Sequence, residues 1–411
     1  MTSTGSSRIR AAARAAAAQV LDTLADPAST AGGPQWADLS LSNGFPGVSL
    51  AFSGSTPRRP DHVARAHGHL TRAITSLAGG EHPPAGGYSG PGAVAFAVLI
   101  AHRATGGYHS ALTQLDEHQR SLVRSALPAL TDAPLATNGV FEVVRGMAGI
   151  GRYLLARRDS SAAELDMVLR YLVALTQGDL LHQGHRVPRW WTPAPPTPGQ
   201  RDELPDGHLN LGLSHGVSGP LALLALAWRD GVRVEGQREA LESLVGLLRR
   251  WATEDRDGIR WPGYLTLEHW AAGPGRKVPQ QRPSWCYGAP GMTRAVQLAA
   301  LALDRSDWHD LAHRSLLPLL ALPLDSWGID APGLCHGWSG VLHLMGLIGE
   351  HLHDERLARV RDELAVRLLA DLPNRADEPG FLEGAAGIAL ALDAYAEGRA
   401  LSGWDMPLLV S

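Results

Sequence analysis

Seven times along 411 residues, a small residue, two others and a glycine stand immediately ahead of a short, nearly all-apolar helical run. The copies read NGFPGVSLAF, YSGPGAVAFAV, RGMAGIGRYLL, HGVSGPLALLALA, YGAPGMTRAVQLAALAL, HGWSGVLHLMGLI and EGAAGIALALDAY. Their second glycines are Gly47, Gly92, Gly149, Gly219, Gly291, Gly340 and Gly387. Self-similarity of this kind marks a repeat architecture. Before the copies lie longer stretches with apolar residues at helical spacing, for example 62–77, 236–252 and 353–370. Each unit is therefore expected to be a helical hairpin: a polar-faced outer helix, a loop ending in GxxG, and an apolar inner helix. Glycine opens backbone conformations closed to other residues and lets the loop approach its neighbours closely.

A helix that is apolar on every side must be buried on every side. Seven such hairpins predict an all-α fold, an α/α toroid or double ring, with the GxxG loops gathered at one end. An open solenoid would leave its inner row facing solvent on the concave side. A single domain over 1–411 is expected, with inserted loops near 178–210 and 255–283. There the spacing between second glycines widens to 70 and 72 residues, against 45 to 57 elsewhere. The first insert contains Trp190 and Trp191, which either form part of a peptide-binding lip or pin the loop to the body.

Composition narrows the function classes. With 37 basic and 41 acidic residues the net charge is -4, which points away from nucleic acid and from a polybasic membrane contact. No apolar run approaches the ~18 residues of a membrane span, and the alanine- and arginine-rich N-terminus reads as a first helix rather than a signal peptide. The chain has only two cysteines. That scarcity, without an export signal, predicts the reducing cytoplasm, where thiols more often hold metal than pair with each other.

Both cysteines fall in the repeat register, five residues before a second glycine: Cys286 in RPSWCYGAPG and Cys335 in GLCHGWSG, the latter followed at once by His336. Two thiols and an imidazole are a soft donor set suited to zinc, and three protein ligands leave a fourth position open, as in catalytic sites. A disulfide or plain buried packing are the other uses of two cysteines. Four residues before the second glycines stand Asn43, Tyr88, Arg145, His215, Tyr287, His336 and Glu383, all polar. Polar residues introducing seven apolar helices predict a wet mouth ringed by loops. In that register His215 is a candidate acid/base residue. Arg282, in the loop of Cys286, suits anion stabilisation. Glu142, three residues before Arg145, would on its own be read as a surface carboxylate.

Over essentially its whole length the chain resembles the lanthionine synthetase C family, the lanthipeptide cyclases. The resemblance is carried by the seven GxxG units, WCYG at 285–288, CHG at 335–337 and HG at 215–216. It implies one central Zn2+ per chain on Cys286, Cys335 and His336, with His215, Arg282, Tyr287 and Glu142 as the active-site residues. At the last of these the family usually has aspartate, one methylene shorter. The activity implied is Michael addition of precursor-peptide cysteine thiols to dehydroalanine or dehydrobutyrine, closing thioether rings. The partners implied are a dehydrated precursor peptide, a separate dehydratase and an exporter, and the length suits a class I type cyclase acting alone. A relative that adds glutathione or another small thiol, and a non-catalytic peptide-binding scaffold, are the alternatives. A two-carboxylate glycosidase on the same fold would leave the cysteines unexplained.

Overall fold

The computed structural model describes residues 3–30, 35–79, 86–132, 138–195, 202, 204–275, 281–352, 354–372 and 378–411. Among them the chain is mainly helical, and none of its helices is long and apolar enough to cross a membrane. Contacts group it into two compact units, one of residues 1–119, 324–407 and 411, the other of 120–323 and 408–410.

All seven GxxG steps lead into helices, at Phe45–Ser55, Gly90–Thr105, Met147–Ala156, Ser218–Arg229, Ala289–Leu303, Trp338–Gly349 and Ala385–Glu397. These inner helices are buried over most of their length; every residue of Phe45–Ser55 is buried. The second glycine of each step has one physical reason. A Cβ placed on Gly47, Gly92, Gly149, Gly219, Gly291, Gly340 or Gly387 would fall within 3.0 Å of the carbonyl oxygen six residues earlier, a separation that real Cβ atoms do not show. The loop is thus folded back onto the first turn of its helix. Close approach, not a left-handed backbone, sets the requirement: none of these seven has positive φ. Proline at the first or second position of three of the helices, Pro46, Pro91 and Pro290, gives up an N–H that the helix would not have used.

The outer helices are amphipathic as expected. His62–Ala78 buries His62, Ala66, His69, Leu70 and Ala73, and Glu355–Asp371 buries Leu357, Val360, Leu364, Ala365 and Leu368, each a single stripe. They pack chiefly on the inner helix that precedes them rather than the one that follows. In the first unit this leaves the last inner helix, Ala385–Glu397, to be covered by the N-terminal helix Ser3–Thr23, with Arg14 bonded to Glu397 at 2.7 Å. The first helix of the chain therefore serves as the outer partner of its last repeat.

In the second unit the inserts build three small antiparallel sheets, which the sparse strand signals of the sequence did not predict. Asp179–His182 pairs with His185–Pro188, Thr253–Asp255 with Gly258–Arg260, and His208–Asn210 with Tyr264–Thr266, so the third joins the two inserts to each other. Trp190 and Trp191 are buried. Trp190 meets Phe141 edge-on at 5.1 Å, and the Trp191 indole N–H donates to the Asp206 carbonyl at 3.2 Å. These two tryptophans pin the insert down; neither forms an exposed lip.

Candidate functional site

Three loops of the second unit carry Glu142, His215 and the segment from Arg282 to Gly288. They are stitched together by Ser214, which is buried. Its carbonyl accepts from the Val143 N–H at 3.0 Å, and its own N–H donates to the Cys286 carbonyl at 3.1 Å. The residue before His215 thereby sets the spacing of all three loops.

Glu142 is wholly inaccessible. Its Oε2 accepts from the Val144 N–H at 3.0 Å, its Oε1 accepts from the Arg145 N–H, and Oε2 also meets Nδ1 of His215 at 2.5 Å. An oxygen that already takes a backbone donor acts as a carboxylate acceptor, so the imidazole is assigned the Nδ1–H tautomer and keeps Nε2 for exchange. His215 is 27% exposed, enough to meet a substrate. The isolated-surface reading of Glu142 fails because its side chain turns inward and caps its own loop. Close by, burial pushes His208 down to about 4, with His215 adding to the effect, so that second imidazole is neutral at pH 7.

Tyr287 is half-buried, with its ring 5.9 Å from that of His215. Its approach depends on Gly212, where a Cβ would lie 3.0 Å from the tyrosine ring. Ser284 holds the loop: its hydroxyl oxygen accepts from the N–H groups of Tyr287 at 3.2 Å and Gly288 at 2.9 Å, and lies 3.6 Å from the Cys286 sulfur. Trp285 is buried and its indole donates to the Leu408 carbonyl at 2.9 Å. Arg282 begins the loop, half-buried, with its carbonyl against Gly288.

Cys335 and His336 lie in the first unit, on the loop before Trp338–Gly349. Nδ1 of His336 is 3.1 Å from Oε1 of Glu383, a neighbour that the register showed only as another polar ring position. Cys286, like Cys335, stands three residues ahead of a helix, where the dipole favours thiolate over thiol. The two cysteines are not joined in a disulfide. Cys286, Cys335 and His336 each present a donor atom, and the three atoms lie within 4.8 Å of one another. Two sulfurs and an imidazole nitrogen at that separation fit a single zinc ion without a fourth protein ligand.

The model of the lanthionine synthetase C-like protein family matches residues 35–409. The chain belongs to the lanthionine synthetase C-like family. It is 24% identical over 384 residues to the nisin biosynthesis protein NisC of Lactococcus lactis subsp. lactis, covering 91% of this chain and 89% of that one. Among solved structures it resembles nisin cyclase, with a TM-score of 0.82 at 23% identity over 95% of this chain and 96% of the other. That likeness shows the fold, the α/α toroid of this family. Within this lanthionine synthetase C-like chain, motif reading missed Ser214 and Ser284, which hold these loops, and showed Glu383 only as a polar position of the repeat. Serines and a glutamate in loops carry no signal of their own, and only the register of Glu383 pointed to the mouth.

Proposed function

We propose that this chain is a zinc-dependent lanthipeptide cyclase. It would act on a precursor peptide whose serines and threonines have been dehydrated by another enzyme, adding cysteine thiols across dehydroalanine or dehydrobutyrine. The Cys286, Cys335 and His336 donor set carries the reading, because a three-ligand site leaves a position for a substrate sulfur. Zinc bound there would supply an ionised thiol at neutral pH, where a thiol of pKa near 8.5 is otherwise mostly protonated.

The remaining chemistry belongs to the chain. A C–S bond forms at the β carbon as the C=C π pair moves onto the carbonyl, giving an enolate, and the enolate then takes a proton at the α carbon. Nε2 of His215 accepts the proton lost by the thiol and returns it to the α carbon, so the peptide mass is unchanged. Glu142 holds the imidazole through Nδ1 and offsets its positive charge while it carries that proton. Tyr287 and Arg282 are assigned to the developing enolate oxygen.

Incubating a dehydrated, cysteine-containing peptide with the purified protein should consume free thiol without changing the mass. Cys286→Ala should lose stoichiometric zinc, and a variant that retains it refutes the ligand assignment. His215→Ala should keep zinc and lose cyclisation; full activity removes His215 from the mechanism.

A further inference from the structure

Each protein-derived ligand must present its donor atom in one orientation, and an imidazole on a loop can turn. Metal-binding histidines are usually held through their second nitrogen by a carboxylate or carbonyl, which fixes both ring and tautomer. Among the described residues, Oε1 of Glu383 stands 3.1 Å from Nδ1 of His336.

We infer that Glu383 is a positioning residue for the metal ligand His336, holding Nδ1–H so that Nε2 faces the ion. The inference rests on the zinc reading above. An ion pair whose side chains are 32% and 35% exposed is ordinarily weak and loosely held, so the pair alone would not carry the assignment. The backbone does. The Leu382 carbonyl accepts from both Leu334 N–H, at 2.6 Å, and Cys335 N–H, at 3.0 Å, clamping the ligand loop to the residue before Glu383. The Glu383 loop is itself anchored, with Phe381 N–H donating to the Leu41 carbonyl at 3.1 Å and Ala385 N–H to the Glu378 carbonyl at 2.7 Å.

Gly333 completes the cradle. A Cβ there would lie 2.8 Å from Oε2 of Glu383 and 2.7 Å from the Leu382 carbonyl oxygen. The carboxylate thus rests one oxygen against a bare glycine and turns the other to His336. Glu383 falls outside the three-residue cluster of donor atoms, as a supporting group should. Glu142 Oε2 is hydrogen-bonded to Nδ1 of His215 and leaves its Nε2 for chemistry; Oε1 of Glu383 stands 3.1 Å from Nδ1 of His336 on the same side of the ring.

The test is zinc affinity of the full chain, measured by competition with a chromophoric chelator, together with the absorption spectrum of the cobalt(II)-loaded protein. Glu383→Ala should weaken zinc about 10- to 100-fold and alter the cobalt spectrum. Glu383→Gln keeps an oxygen for Nδ1–H and should stay nearer the wild type. Thermal melts of the metal-free proteins should coincide. Glu383→Ala that binds zinc within about twofold of wild type, with the same cobalt spectrum, overturns this inference alone. So does an equal loss in both variants accompanied by a lowered metal-free melt, which would mark a purely structural role. Wild-type protein that takes up no zinc overturns the metal reading itself and this inference with it.

Discussion

Replacing Glu142 by glutamine changes almost no volume but removes one acceptor from a buried group that now serves three donors. Oε1 takes the Arg145 N–H, and Oε2 takes the Val144 N–H and Nδ1 of His215. An amide has a single acceptor oxygen. With that oxygen toward Val144 and His215, the amide NH2 faces the Arg145 N–H. Turned over, it faces the Val144 N–H, and His215 must move its proton to Nε2 to be bonded at all. Either way one backbone donor is left facing another beside the inaccessible side chain, a cost of about 1–3 kcal/mol. Activity should suffer more, because one orientation leaves His215 in the wrong tautomer and both remove the negative charge beside it. Losses of that kind reach about 10⁴ in kcat when a base-orienting carboxylate becomes an amide, so Glu142→Gln is expected to lose at least ~10². Urea unfolding reads the first effect and thiol consumption by a dehydrated peptide the second. A lowered unfolding midpoint with an undiminished rate would take Glu142 out of the chemistry, and an unchanged midpoint would refute the hydrogen bonding itself.

The repeat glycines and an ordinary helical glycine should respond with opposite sign. Gly340→Ala drives a Cβ into the Leu334 carbonyl and should destabilise by about 3 kcal/mol or more. Gly246→Ala, in helix Gln237–Arg250 with nothing within 4 Å, should stabilise by about 0.5–1 kcal/mol; urea midpoints that move together contradict the close-approach argument. Stability should also fall in mild acid. Burial lowers His62 and His208 to about 4, below the ~6.5 of the unfolded chain, so the stability they contribute is complete above pH 6.5 and is lost as pH drops from 6.5 toward 4. The loss is on the order of 2–3 kcal/mol for each. A urea midpoint that stays flat over that range, or declines as steeply in His62→Gln as in wild type, would refute it.

The fold was legible because burial leaves a mark in sequence. Inner helices covered on all sides read as apolar runs, outer helices as single stripes, and the backbone approach within each loop as a fixed glycine. What periodicity did not reveal is which helices pair. Any outer helix can pack on the inner helix before or after it, and the choice is made by tertiary contact, as Ser3–Thr23 against Ala385–Glu397 shows. The small sheets of the inserts were illegible for a related reason: strands of three or four residues are too short for a period to be counted.

The site was legible where chemistry restricts residue choice and illegible where geometry does. The chain has only two cysteines, so Cys286 and Cys335 were visible by their scarcity and register, and His336 by its place directly after Cys335. Glu142 looked like a surface glutamate because its sequence neighbours say nothing of the Val144 and Arg145 N–H groups that draw it inward. Aspartate, the residue that the family resemblance leads one to expect at this place, has one methylene less. Retaining the 2.5 Å bond to His215 with the longer side chain requires the loop to curl back around the carboxylate, and the two backbone hydrogen bonds are that curl. An aspartate here would have to give up either those bonds or the imidazole, so Glu142→Asp should lose affinity for one set of donors while a surface carboxylate would notice nothing. Hydrogen exchange at the Val144 and Arg145 amides, read beside the cyclisation rate, separates the two outcomes. Faster exchange with retained activity means the carboxylate stays with His215; protected amides with lost activity mean it stays with the loop. Wild-type behaviour in both would show that the extra methylene has no part in building this site.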